Sequence, residues 1–332
     1  MSGMKVSRGL SACNASLVLV LGLLCQTMPA AEAQLFPNKP LRFIVPFAPG
    51  GGASTLARTV GDQLAKEIGQ PVLVVNRDGA GTVIGYNEVA KAPADGYSLL
   101  LSGNAGAINA ASGRDLPYDL QKDLEPVTII YAGAQVMLGG KDSRFNTLRE
   151  LVAWGKANPG QVKFGSNGTG SSVHFSSEQF NQAAGIKALH VPYKGANPAM
   201  QDLAGGRIDY VIAGSSGAFP AVKSGQFKGL AILSRTRSRQ MPDLPTAIEQ
   251  GVNVETEGWY GIHVRAGAPA QSVRTLHAAL MKILGMADMG EKLAAMGGEP
   301  RTMSQSEFRT FIQGEIDTLS RLVRILDIKV AD

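Results

Sequence analysis

Beyond residue 25 this chain has no cysteine, since its two lie at Cys13 and Cys25. A segment without thiols builds no disulfide, no thiolate nucleophile and no cysteine-ligated metal site. Histidine is nearly as scarce, and the spacing of His174, His190, His263 and His277 fits no zinc pattern. Basic residues form no cluster apart from Arg235, Arg237 and Arg239, and no nucleic-acid-binding module is present, so nucleic acid is not an expected partner. Long apolar runs are also missing: Leu17–Leu24 falls far short of the ~20 residues that span a bilayer. No Gly-x-Ser-x-Gly elbow occurs, the carboxylates are scattered, and nothing ties Ser215 or Ser216 to a histidine and an acid. No catalytic residue, metal or cofactor is therefore expected.

The N-terminus has the parts of an export signal: positive charge at Lys5 and Arg8, the apolar run Leu17–Leu24, and the small-x-small site Ala31-Glu32-Ala33. Cleavage after Ala33 is expected, with residues 1–33 removed. Cys25 follows Leu24 rather than a small residue, so lipid attachment there is not expected. Both cysteines leave with the signal. The net charge of +5 falls to +4, because Lys5, Arg8 and Glu32 depart together.

Glycine is what the chain has in excess, 40 residues in 332 against a usual share of roughly 7%. The glycines gather after apolar runs, where backbone must turn tightly or approach a ligand. Residues Phe36–Leu101 show this best. The apolar run Leu41–Phe47 leads through Pro49 into Gly50, Gly51 and Gly52. The hydroxyls of Ser54 and Thr55 follow, and then Leu56, Val60, Leu64 and Ile68 recur every four residues. This predicts a buried strand, a bare loop, and a helix capped by Ser54, whose unpaired N–H groups suit an anion. No Lys-Ser/Thr pair opens that helix and no spaced dinucleotide fingerprint exists, so a carboxylate cradle fits better than a phosphate one.

The rest of the chain alternates strand and helix, which predicts α/β layers on mostly parallel sheets. Strands are predicted at Leu41–Phe47, Val72–Asn76, Ser98–Ser102, Thr128–Leu138, Val162–Ser166, Leu189–Pro192, Ile208–Ala213, Gly229–Ser234 and Trp259–Val264. Helices are predicted at Ser54–Ile68, Leu148–Ala157, Ser172–Ala184, Pro198–Ala204, Ser272–Leu284 and Gln305–Asp327. Ser304 and Glu307 form a capping box before the last of these. Four Gly/Ser loops follow strands: Pro49–Thr55, Ser102–Gly106 with Gly103 and Asn104, Ser166–Ser172, and Gly214–Gly217. The third brings Ser166, Asn167, Thr169, Ser171 and Ser172 to a second helix start, with His174 just inside it. Tyr193 and Lys194 follow the strand ending at Pro192 and are candidates to line a cleft.

The ordered words Pro40-Leu-Arg-Phe-Ile-Val-Pro-Phe-Ala-Pro-Gly-Gly-Gly52, Val75-Asn-Arg77, Gly79-Ala-Gly81, Asp95-Gly-Tyr97, His190-Val-Pro-Tyr-Lys-Gly195, Gly205-Gly206-Arg-Ile-Asp209 and Gly258-Trp-Tyr-Gly261 span the chain after its leader. In that order they resemble the Bug family, the periplasmic solute-binding proteins of tripartite tricarboxylate transporters (TctC-like). One departure is Ser54, where the family usually has Asp. The resemblance implies a periplasmic binding protein type II-like α/β fold, two lobes with a hinge of two crossing strands. Domain one would be residues 35–130 plus 260–332, and domain two 131–259. It also implies a cleft-facing aromatic at Phe47, a small organic acid or amino-acid-like carboxylate as ligand, and integral membrane transporter subunits as partners. A periplasmic monomer is expected. A periplasmic sensor for a membrane kinase and an α/β enzyme acting on small organic acids are the alternatives. Mass spectrometry of the exported protein should find Gln34 at its N-terminus, and a chain beginning at a lipid-modified Cys25 would overturn the leader assignment.

Overall fold

The computed structural model describes residues 36–47, 49, 50, 52–193 and 196–326, with Gly3 alone ahead of them. The leader, Gly51 and Lys194 lie outside the described residues. The chain divides into a unit ending at Asn38 and a unit running from Lys39 onward, and all that follows concerns the second.

Its elements run β1 (Leu41–Val45), α1 (Gly52–Ile68), β2 (Val72–Asn76), α2 (Val83–Ala90), β3 (Ser98–Gly103), α3 (Asn104–Ala111) and β4 (Leu124–Gly140). They continue with α4 (Leu148–Ala157), β5 (Val162–Ser166), α5 (Ser172–Ala184), β6 (Ala188–Pro192), α6 (Ala196–Ala204), β7 (Tyr210–Gly214), α7 (Ser215–Lys223) and β8 (Phe227–Ile232). Last come β9 (Glu257–Arg265), α8 (Ala270–Leu284), α9 (Ala287–Ala295), β10 (Gly298–Glu299) and α10 (Gln305–Leu326).

The sheet has two halves that share one strand. In the first half β2, β1 and β3 are parallel, β9 runs antiparallel to β3, and β4 runs antiparallel to β9. In the second half β6, β5 and β7 are parallel, and β4 lies antiparallel to β7 on one edge and to β8 on the other. β4 thus pairs with β9 up to Ala134 and with β7 from Gln135.

That strand is apolar on both faces, as a strand covered by helices on two sides must be. Side chains alternate across it, so Val136 and Leu138 enter a core with Leu203, Phe219 and Ile232, while Met137 enters another with Phe164, Phe180 and Tyr210. The first half has its own core, where Ile44, Leu100, Ile129 and Trp259 pack under Phe308 and Ile312 of α10. A fourth cluster joins the halves beside the sheet: Ala107, Ile108 and Ala111 of α3 meet Phe175 of α5 and Leu319 and Leu322 of α10.

Several predicted ends move for local reasons. β1 stops at Val45 because Pro46 has no N–H to continue the ladder. α1 begins at Gly52, so Ser54 sits inside the first turn and does not cap it. α5 keeps its predicted bounds and is capped by Ser171, whose Oγ accepts from the His174 N–H. The capping box before α10 is present: the Ser304 N–H donates to Glu307 at 2.8 Å, and the Glu307 N–H donates back to Ser304 Oγ at 3.3 Å. No helix among the described residues is long and apolar enough to cross a membrane.

Gly261 shows how closely α10 lies on β9. A Cβ there would strike the ring of Phe308, which is fully buried, and would come within 3.1 Å of the Thr128 carbonyl. Gly261→Val should therefore cost at least about 1–3 kcal/mol by overpacking, read as a lower midpoint in urea. An unchanged midpoint would show that α10 moves aside freely.

Candidate functional site

In open α/β sheets ligands collect beyond the carboxyl ends of the strands. There the two halves enclose a cavity of about 430 Å³. Pro46 and Phe47 enter it after β1, Asp78–Thr82 after β2, and Ala105, Ile108 and Asn109 from α3, with Arg114 beyond that helix. The second half contributes Asn167 and Thr169–Ser172, between β5 and α5.

The turn after β2 has an unusual backbone. Gly79, Ala80, Gly81 and Thr82 all have positive φ, at 123°, 47°, 61° and 84°. Ala80 and Thr82 carry side chains in a region that disfavours them, and such strain gathers at ligand-holding turns. Asn109 fixes the turn to α3, its Nδ2 donating to the Gly81 carbonyl at 2.8 Å and to Thr82 Oγ1 at 3.2 Å. The sequence words Gly79-Ala-Gly81 mark this turn as a family feature, but nothing in them singles it out as cavity wall. The two glycines after a strand were the available signal.

The loop from the second half is wired internally. The Ser166 hydroxyl donates to the Gly168 carbonyl at 3.0 Å, so the neighbouring His190 Nε2, 2.6 Å away, is the donor to Ser166 Oγ. His190 stacks on His174 with ring centroids 3.8 Å apart, and His174 Nδ1 accepts the Gly170 N–H at 3.1 Å. Burial, reinforced by His190, pushes the His174 pKa down to about 4, and burial lowers His190 as well. Both rings are therefore neutral at pH 7, which a ring accepting through Nδ1 requires. Ser166 and His174 hold the loop from beneath, and neither lines the cavity. Tyr193 does the same from β6, with its N–H on the Ser166 carbonyl at 3.0 Å and its hydroxyl on Asp202 at 2.7 Å.

The cavity thus brings together five of the residues picked from sequence: Phe47, Asn167, Thr169, Ser171 and Ser172. Phe47 meets Tyr260 edge-on, centroids 6.1 Å apart. Others are placed elsewhere. Ser54 is buried and donates to Asn76 Oδ1 at 3.3 Å, while Asn76 Nδ2 donates to the Phe47 carbonyl at 2.8 Å, so Ser54 acts on the wall at one remove. Thr55 is exposed on α1, and Gly50 and Gly52 are exposed outside the lining. Gly103 gives its N–H to the Tyr86 hydroxyl at 3.0 Å. Asn104 clasps β9, donating to the Glu257 carbonyl at 3.2 Å and accepting the Trp259 N–H at 3.0 Å. Its side chain borders a separate cavity of about 300 Å³ with Glu257, Trp259, Arg301 and Glu315. The fourth glycine loop does not reach the larger cavity, because Ser215 Oγ donates to the Gly297 carbonyl. No group of acids, histidines or cysteines among the described residues could hold a metal ion.

What this arrangement can do is hold an anion without burying a full counter-charge from the second half. The first turn of α5 presents free backbone N–H groups and the positive end of its dipole, beside two hydroxyls. Phe47 and Pro46 offer apolar surface to a carbon skeleton.

The chain is similar to several known proteins. BugT of Bordetella pertussis is 34% identical over 314 residues, which cover 93% of this chain and 96% of that protein. An R. palustris protein solved with adipate superposes with a TM-score of 0.78 at 29% identity, over 88% of this chain and 99% of its own. MatC from Rhodopseudomonas palustris, solved with bound malate, gives 0.75 at 28% identity, over 87% of this chain and all of its own. Residues 56–328 match the model of TctC, the tripartite tricarboxylate transporter family receptor. With most of its length inside that match and its α/β fold shared with these binding proteins, the chain belongs to the TctC family.

Proposed function

We propose that this chain is an exported periplasmic receptor. It captures a small carboxylate-bearing solute in the 430 Å³ cavity and presents it to integral membrane transporter subunits. The observation that carries this is the make-up of the cavity wall: donors at the start of α5 on one half, and a strained glycine turn with an apolar patch on the other. Adipate and malate in two related structures support an organic acid as ligand. A carboxylate accepts several N–H and O–H bonds at once, which is what such a wall supplies.

In this reading residues 35–130 with 260–332 form one lobe and 131–259 the other, hinged where β4 and β9 cross between them. A solute touching both lobes binds the closed form better and shifts the population towards it. Ser54 in place of the family's Asp takes no charge into the site, since its hydroxyl is spent on Asn76. The monomer is the functional unit, with the complete cavity built by one chain.

Thermal-shift screening over organic acids is the direct test, because a ligand at 100 times its Kd adds about 2.7 kcal/mol of stability. With a hit in hand, Ser172→Ala and Asn167→Ala should each weaken calorimetric binding from several-fold to about a hundredfold, the range spanned by neutral and charge-assisted hydrogen bonds. Ser171→Ala should also lose about 1 kcal/mol of stability as a missing cap.

Closure has its own readout. Solution scattering should show compaction on binding in the parent protein, and less of it when the loop 167–172 is damaged. If solute binds equally well with that loop replaced by glycines, the clamp is wrong and a site on one half is the better account.

A further inference from the structure

Asn167 is the one asparagine of this chain that glycine follows. It is exposed, stands on the wall of the larger cavity, and makes no side-chain hydrogen bond among the described residues. Those are the conditions for a reaction within the chain itself. The main-chain nitrogen of Gly168, once it loses its proton, attacks the side-chain carbonyl carbon of Asn167. The amide nitrogen leaves as ammonia and a five-membered succinimide closes. Water then opens the ring at either carbonyl, giving aspartate or isoaspartate, so amide plus water becomes carboxylate plus ammonium. Glycine favours closure because no Cβ crowds its nitrogen and its backbone reaches conformations that other residues avoid. Gly168 is already in one of these, at φ 124°. The attacking N–H is held back by one long bond, to Ser166 Oγ at 3.2 Å, and that oxygen also accepts from His190 Nε2 at 2.6 Å. A single neutral bond of this kind restrains a loop only modestly.

We propose that Asn167 is a modification site, where the amide converts spontaneously to a carboxylate whose charge shuts anionic solutes out of the cavity. The new carboxylate would share its wall with the first turn of α5, where free N–H groups and the helix dipole draw negative charge. It therefore repels a solute of the same sign and competes with it for the same positive potential. Two like charges within one partly enclosed site weaken binding by roughly tenfold or more. The loss of affinity rests on the carboxylate reading of the cavity, whereas the reaction does not. The receptor thus loses its solute with age, without an enzyme acting on it.

Peptide mapping of the purified protein, held warm at mildly acidic and mildly alkaline pH, tests the reaction. Asn167 should convert ahead of every other asparagine, and faster at the alkaline pH, because the attacking nitrogen must lose a proton. The product should be a mixture of aspartate and isoaspartate, the mark of the cyclic intermediate. An amide still intact at 167 after the urea-unfolded chain has lost it overturns the proposal, since the folded loop would then bar the reaction. Calorimetry with adipate, malate and any acid returned by the thermal screen tests the consequence. Asn167→Asp should bind about tenfold or more weakly than Asn167→Ala, and the gap should narrow as salt is raised. Both variants lack the parent's amide, so their difference isolates the charge. Should either not fold, aged parent protein separated by anion exchange into its amide and acid forms gives the same comparison. Equal affinities of the charged and uncharged forms overturn the silencing. A parent that binds no acid at all overturns the carboxylate reading and the silencing with it, and the peptide map decides the reaction either way.

Discussion

β4 is paired along both edges in its second half, and its change of partner between Ala134 and Gln135 is the constraint on which both cores and the cavity depend. A strand covered on both faces cannot slip by one residue without exchanging Val136 and Leu138 for Met137 between two separate cores. Its register is therefore fixed, and with it the separation of the strand ends that open onto the cavity. Asn104 strengthens the arrangement from the side, since its amide carries the hydrogen-bonding pattern of β3 on to Glu257 and Trp259 where β9 starts. The two halves are thus joined by main-chain pairing, and the apolar contact of α3, α5 and α10 lies beside that joint.

The cavity wall divides its labour. In the second half, Ser166, His174, His190 and Tyr193 contact one another and the loop backbone, leaving the outer residues of the loop to line the cavity. The histidines owe this structural role to burial, which keeps them neutral and lets Nδ1 of His174 accept a backbone N–H. In the first half, the wall is held by Asn76 on Phe47 and by Asn109 on the glycine turn. Asn109, buried, and Asn76, half-buried, hold these loops without a charge to desolvate, and Asn76 both donates and accepts.

Much of the fold was legible because apolar runs and four-residue spacing state burial directly. The middle of β4, Thr128–Leu138 out of Leu124–Gly140, the cap of α10 and the loop ahead of α5 were all written in local pattern. What escaped was short and small-residue-rich. α3 (Asn104–Ala111) and α7 (Ser215–Lys223, with Pro220 inside it) read as parts of glycine loops, because their helical state comes from packing against neighbours rather than from their own periodicity. α2 and α9 were not among the predicted helices. The site was half legible for a related reason. Hydroxyls before a helix announce themselves, but a serine's partner does not: nothing local says that Ser54 turns to Asn76 or that Ser166 turns to His190.

Trp259 stands at the start of β9 with its ring edge-on to Phe308 and Phe311, its Nε1 toward Glu315, and its side chain on the smaller cavity between the halves. The chain's other tryptophan, Trp154, is stacked under the Arg144 guanidinium on the outer face of the second half, 3.6 Å from it. Indole emission follows local polarity, so the two rings report on different surroundings, one beside the smaller cavity and the other against the Arg144 guanidinium. In the two-lobe reading proposed above, the molecule would carry an optical gauge of its own hinge together with an internal reference, and its state could be followed without attaching a label.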